Sequence, residues 1–319
     1  MYKHIIIDAV NFGYLNMKKE YAVPMSLGNK KIYPEFVKNY LTTLDFLMKK
    51  FLADDGQVTL LFDNYNSREE LKEALKPLKA NENRKKVNPN YKSNRVANTP
   101  YFYNSLDLVR YIHQLREPKF HTARIPNLEA DDLVKPCINY IGDTKILMIT
   151  NDSDWCRYLD KNIQYLPDLY GEPVTREAFQ DKYGYYPSED KVILYKILNG
   201  DSVDNVQAVF PQFKPAIKSY IMDNFDSVID FMFDAHKHEI LSEYVTDIKA
   251  SELDVKLAYQ MLATIPVTDE HFKAVYTTGR SAEYVLKVIY EAIEYNTGKE
   301  DKPVFEFGGL KIPRYTPKG

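Results

Sequence analysis

Four short apolar runs, residues 4–7, 58–62, 120–125 and 145–150, have the length and β-branched content of buried strands, and longer amphipathic stretches separate them. Strand alternating with helix implies a mostly parallel α/β sheet. Helices are expected over residues 33–51, 104–115 and 128–141, where apolar residues recur at three- and four-residue steps. Ligands of such sheets bind beyond the carboxyl ends of the strands. Asp8 ends the first run, Asp63 the second, Asp152 follows the last and Glu129 lies just after the third, so all four are expected at one edge. From about residue 188 the alternation stops and helical patterns follow at 189–198, 216–225, 228–236 and 281–295. Residues 303–313 carry Gly308-Gly309 between two alternating runs and read as a hairpin or an extended tail.

Nine acidic residues stand in five clusters: Asp8, Asp63, Glu129 with Asp131 and Asp132, Asp152 with Asp154, and Asp201 with Asp204. Carboxylates gathered in one place repel and have their pKa values driven upward, so a fold that collects them normally does so around hard cations. A single Asp at a strand end is more often a cap or turn former, and residues 129–132 serve equally well to place charge in the first turn of a helix. Asp152 and Asp154, two apart in a strand-to-helix turn, are a sharper signal, as are Asp201 and Asp204, three apart on one helical face. Capping does not account for every cluster at once. Oxygen-only ligands select Mg²⁺ or Mn²⁺ over zinc. Two such ions, roughly 3.5–4 Å apart, form the usual clamp for in-line phosphodiester hydrolysis.

The net charge of −3 averages this acidic set with a basic stretch. Between Lys72 and Arg95 lie eight basic residues against Glu73 and Glu82, a local excess of six positive charges. A solvated face accounts for such a run, but this one leaves from Asp63 and so from the acidic edge. Arg84, Lys85 and Lys86 are candidate phosphate contacts, and Lys92 and Arg95 are placed to neutralise a phosphate. Tyr14 and Tyr91 are the candidates for stacking on unpaired bases. Cys137 and Cys156 form no CxxC pair, which points away from a zinc site or structural disulfide and towards a reducing, cytoplasmic setting. Neither a signal peptide nor a membrane-spanning run is evident.

Taken in order, these residues resemble the 5′-nuclease superfamily of flap endonucleases and 5′-3′ exonucleases, and within it the phage-encoded 5′-nucleases and RNase H-type exonucleases. The likeness runs from Asp8 to about Asn205. It rests on Ile7-Asp8-Ala9-Val10-Asn11, Phe62-Asp63, Tyr91-Lys92-Ser93-Asn94-Arg95, Glu129-Ala130-Asp131-Asp132, the run from Thr150 to Trp155, and the run from Gly200 to Asn205. The resemblance implies that Asp8, Asp63, Glu129 and Asp131 serve one metal ion and Asp152, Asp154, Asp201 and Asp204 a second. Asp132 joins them in the acidic set, as a ligand or as a support for its neighbours. Lys92 and Arg95 become the catalytic cations.

It also implies a PIN-like core over residues 1–187 with a helical arch at 64–103, a helical DNA-binding region at 188–300, and the tail or hairpin at 301–319. The glycine-rich turn of the family's helix-three-turn-helix is replaced by residues 206–215, so that element is expected to be degenerate. Lys214 and Lys218 remain as phosphate contacts. The implied activity is Mg²⁺-dependent 5′-3′ exonuclease or flap endonuclease chemistry, with RNase H activity included and Mn²⁺ able to substitute. Implied substrates are DNA with a single-stranded 5′ end or flap and RNA–DNA hybrids. A monomer working in DNA replication with single-strand-binding protein or a replication complex is expected, in the host cytoplasm if the chain is bacteriophage-encoded. Two rivals share the acidic core: a PIN-type endoribonuclease, and a catalytically silent nucleic-acid-binding protein. The second gains nothing from concentrated negative charge next to phosphate.

Overall fold

A computed structural model of the protein describes residues 1–27, 30–63, 80–89, 100–114, 119–125, 128–276, 304–307 and 310–313. Tyr91, Lys92, Arg95 and the expected helix at 281–295 lie outside the described residues.

The chain opens with β1 (Tyr2–Asp8), and the small antiparallel pair β2 (Met25–Leu27) and β3 (Lys30–Ile32) follows. Then come β4 (Leu52–Leu61), β5 (Phe120–Ala123), β6 (Ile146–Ile149) and β7 (Ile163–Leu166). β1 and β4 to β7 form one five-stranded parallel sheet in the order β5-β4-β1-β6-β7. Successive residues of β1 face opposite sides, and both sides are covered, so its run of isoleucines is continuous rather than alternating. Ile5 and Ile7 pack with the helices Pro34–Phe51 and Pro100–Gln114, whereas Ile6 packs with the helix Ala130–Ile141 and the C-terminal helices.

Helix Pro34–Phe51 shows how the pattern reads out. Proline stands at its first turn, Phe36, Val37, Tyr40, Leu41, Leu44 and Leu47 make one buried stripe, and Leu52 turns extended to enter β4 directly. β4 is longer than residues 58–62 because its first half pairs only at the rim, with Tyr2 opposite Leu52 across a break in register. β7 was not expected from the pattern, since its four residues include the half-exposed Gln164.

Beyond the sheet, helices Glu189–Asn199, Pro215–Asn224, Val228–Asp234, Val245–Ala250, Glu252–Leu262 and Asp269–Tyr276 pack onto the face that carries Ile6. Tyr276 closes this region against the sheet. Its hydroxyl lies 3.1 Å from Thr59 Oγ1, which in turn meets His4 Nε2 at 2.7 Å. The turn at residues 206–214 is filled by side chains: Val206, Phe210 and Phe213 are buried and the two phenyl rings stack at 4.7 Å. β8 (Val304–Phe307) and β9 (Leu310–Pro313) pair antiparallel. Among the described residues no helix is long and apolar enough to cross a membrane.

Candidate metal centre

Register decides where the acids go. Asp8 is the last residue of β1 and lies opposite Leu61, two residues before Asp63, while Ile7 pairs with Ile149, three before Asp152. β1 also has the earlier β4 on one side and the later β6 on the other, which makes this the point where strand order reverses and a cleft opens. The cleft holds about 720 Å³, and Asp8, Asp63, Glu129, Asp131, Asp152, Asp154, Asp201 and Asp204 all line it. Among its lining residues there is neither histidine nor cysteine.

Backbone N–H groups hold Asp8, Asp63, Asp152 and Asp201, and a side chain holds Asp131. Asp8 caps helix Ala9–Asn16, its Oδ1 accepting from Val10 N at 3.1 Å and Asn11 N at 2.9 Å. Asp63 Oδ1 accepts from Ala130 N at 2.7 Å, which ties the end of β4 to the start of helix Ala130–Ile141. Trp155 Nε1 donates to Asp131 at 2.7 Å. Asp152 caps the short 3-10 helix Ser153–Tyr158 by accepting from Asp154 N at 2.9 Å. Asp201 Oδ1 accepts from Val203 N at 2.9 Å and Asp204 N at 3.3 Å, and one carboxylate oxygen from each of Asp154, Asp201 and Asp204 lies within 4.8 Å of the others. Asn11 and Asn151 clip β1 to β6 above the cleft, Asn151 N donating to Asn11 Oδ1 at 2.9 Å.

Gly200 makes the last turn possible. Its φ is +80° and an added Cβ would stand 2.9 Å from Ala208 N, inside the chain crossing where Asp201 and Val206 exchange backbone hydrogen bonds. Gly200→Ala is expected to cost about 1–3 kcal/mol, from the left-handed backbone and the clash together. A urea melt compares the two proteins, and equal midpoints and slopes would show the turn relaxes freely.

The electrostatics bear the mark of crowding. Burial, with Asp63 and then Asp152 nearby, pushes the Asp8 carboxyl up to about 8, against the hydrogen bonds from Asn11 and Val10. Burial and Asp154 push Asp152 up to about 6, with Lys196 opposing. Both groups therefore hold protons more tightly folded than unfolded, and the folded chain binds more protons from about pH 4 to 8. Stability from these groups is greatest at low pH in that window and is lost as pH rises. In chelator, the melting temperature should fall from about pH 5.5 to about pH 8 and added divalent cation should lift it most at the upper end; a rise with pH would contradict the crowding.

Asp132 and Arg84, both singled out in the sequence, are missing from the cleft lining. Asp132 is buried outside the cleft lining, accepting from Glu129 N at 3.1 Å, Ile265 N at 2.9 Å and Arg84 at 2.9 Å. Arg84, expected to meet phosphate, is 5% exposed and spent on internal acceptors, because a guanidinium facing two carboxylates is drawn inward. Lys85 and Lys86 are exposed on helix Ala80–Val87. Lys214 is exposed where helix Pro215–Asn224 begins, with Lys218 one turn on and half-buried. Tyr14 lines the cleft, 48% exposed, and stacks on Phe102 at 5.1 Å.

Sequence reasoning missed Lys196. It lines the cleft from helix Glu189–Asn199, with Nζ bonded to both Asp154 and Asp201. Arg157, also missed, donates to Asp154 from Nη2 at 3.2 Å. The cluster can hold divalent cations: its donors are carboxylate oxygens, it is short of positive charge, and two of its members hold protons far above their ordinary range.

A family model for the N-terminal, resolvase-like domain of 5′-3′ exonucleases matches residues 5–184. A 5′-3′ exonuclease of Buchnera aphidicola subsp. Schizaphis graminum is 29% identical over 192 residues, which is 50% of this chain and 66% of that protein. The 5′-3′ exonuclease of Buchnera aphidicola subsp. Acyrthosiphon pisum is 26% identical over 147 residues, 46% and 50% of the two chains. The matches thus span between half and just under two thirds of these relatives' own length. Among solved structures, bacteriophage T5 5′-exonuclease with bound zinc ions superposes with a TM-score of 0.57 at 20% identity, covering 91% of this chain and 98% of that one. The T5 flap endonuclease in a complex with DNA and metal ions gives 0.56 at 19%, covering 92% and 98%. At this identity the superpositions establish a shared fold.

Proposed function

The chain belongs to the 5′-3′ exonuclease family, and from that membership we propose that it is a Mg²⁺-dependent nuclease acting near 5′ ends. Its substrates are single-stranded 5′ ends and flaps of DNA and RNA–DNA hybrids, and its task is primer or flap removal in replication. The observation that carries this reading is the convergence of eight carboxylates in one cleft at the carboxyl edge of the sheet. Asp8, Asp63, Glu129 and Asp131 hold one ion and Asp152, Asp154, Asp201 and Asp204 the other. Bound there, Mg²⁺, or Mn²⁺ in its place, supplies an activated water and stabilises the leaving oxygen.

The chain's own residues do the rest. The N-terminal caps fix Asp8 and Asp152 by their backbone bonds, so neither carboxylate needs to be ordered when substrate arrives. Lys196 spreads positive charge between Asp154 and Asp201 at the cleft wall. Tyr14 and Tyr103 line the cleft and offer ring faces to an unpaired base. Lys92 and Arg95 neutralise charge on the scissile phosphate.

Matched flap, nicked, blunt and RNA–DNA substrates, digested with Mg²⁺ and read from both labelled ends, test the proposal. Cleavage should depend on the metal and begin at the 5′ end. Hydrolysis at the normal rate by an Asp152→Asn, Asp154→Asn double variant would sink it.

A further inference from the structure

Arg84 comes from the stretch that joins β4 to helix Pro100–Gln114, and among the described residues of the expected basic arm it is the one found in the interior. Its Nη1 donates to Glu129 Oε2 at 3.1 Å, and its Nη2 donates to Asp132 Oδ1 at 2.9 Å and to Ala263 O at 3.0 Å. Nη1 also reaches Asp132 Oδ2 at 3.4 Å, so the guanidinium meets that carboxylate as a fork. Ala263 ends helix Glu252–Leu262, where unpaired carbonyls favour a cation. One turn further along the same stretch, Asn88 Nδ2 donates to Asn205 O at 3.1 Å, next to Asp204.

Arg157 repeats the arrangement on the other half of the cleft. It takes Asp154 Oδ2 at 3.2 Å and Leu262 O at 3.3 Å. Both halves of the carboxylate set are thus tied by buried arginines to neighbouring carbonyls at one helix end. Glu129 lines the cleft while Asp132 does not, so the fork converts a buried acid into an anchor for a cleft acid.

We infer that Arg84 is a positioning residue for the nuclease reaction: it aims Glu129 into the cleft and couples the connection after β4, through Asp132 and Ala263, to the geometry of the carboxylate cluster. The inference rests on the proposed nuclease site. Removing a partner that orients a metal ligand typically weakens metal binding or turnover by about 10–100-fold. A lysine keeps the charge, but its three donors diverge from a single nitrogen and cannot reproduce the planar fork that meets Glu129, Asp132 and Ala263 together.

The test uses Arg84→Lys and Arg84→Gln in the full chain, with the Asp152→Asn, Asp154→Asn variant as control. Four quantities are read: kcat on a 5′ flap at saturating Mg²⁺, the dissociation constant for the same flap in Ca²⁺, the Tb³⁺ concentration for half-maximal sensitised luminescence without DNA, and the melting temperature. Both variants should melt cooperatively and bind the flap within about twofold of the parent, while kcat falls and the Tb³⁺ midpoint rises by about tenfold or more. Weakened flap binding with unchanged kcat and Tb³⁺ midpoint would make Arg84 a phosphate contact and overturn the inference. A lower melting temperature alone, or failure of both variants to fold, would make it a purely structural residue and overturn it equally. An active control variant would instead remove the nuclease site on which the inference stands.

Discussion

Asp8→Asn should produce a protein that is nearly inactive and yet harder to unfold. Asp8 is 7% exposed and burial with Asp63 beside it pushes its carboxyl up to about 8. Asparagine keeps an acceptor for Val10 N and Asn11 N, so the helix cap survives. The Thr150 hydroxyl, 3.4 Å from Oδ2, can turn to accept from the amide instead. What is lost is charge in a cleft built to concentrate it. Turnover on a 5′ flap should fall by about 10²–10³-fold or more. In chelator near pH 8 the melting temperature should rise, and the gain should shrink towards pH 5.5, where the parent carboxyl is already protonated. A variant that is inactive but less stable at every pH would refute the account of a strained, charge-crowded site.

Lys196→Met should do the reverse to stability. Its ammonium lies between Asp154 and Asp201, whose side chains are 13% and 10% exposed. Those two carboxylates hold the lysine's pKa up against burial. Deleting the cation leaves a poorly solvated pair facing Asp204 as well, at a cost on the order of 3 kcal/mol in chelator. Mg²⁺ supplies the missing positive charge, so the deficit should narrow as the metal is added. Denaturant melts of parent and variant, with and without Mg²⁺, measure both quantities, and a deficit indifferent to the metal would place the lysine's role elsewhere.

The uneven legibility of this chain has a physical pattern. Residues 4–7 and 145–150 were readable as strands because a parallel strand buried on both faces is a continuous apolar run. The acids were readable because strand ends share one edge, whatever the details of packing. Lys196 looked like an ordinary charge on an amphipathic helix; its burial arises only when the loop at residues 201–204 folds back over the helix end. Arg84 sat in a run of basic residues beside the exposed Lys85 and Lys86, and the partners that draw it in, Asp132 and Ala263, are 48 and 179 residues away. No local pattern encodes such a choice. Asp132 was visible as an acid, but whether it faces the cleft or the arginine depends on that same distant packing.

The order of the strands also sets when the cleft can exist. β1 becomes central only by pairing with β4 and with β6, whose residues 146–149 lie near the middle of the chain. Loop closure over such distances is slow, and a chain emerging from the ribosome carries Asp8 long before it carries Asp152 or Asp201. Nearly two thirds of the sequence must be made before the full carboxylate set can assemble.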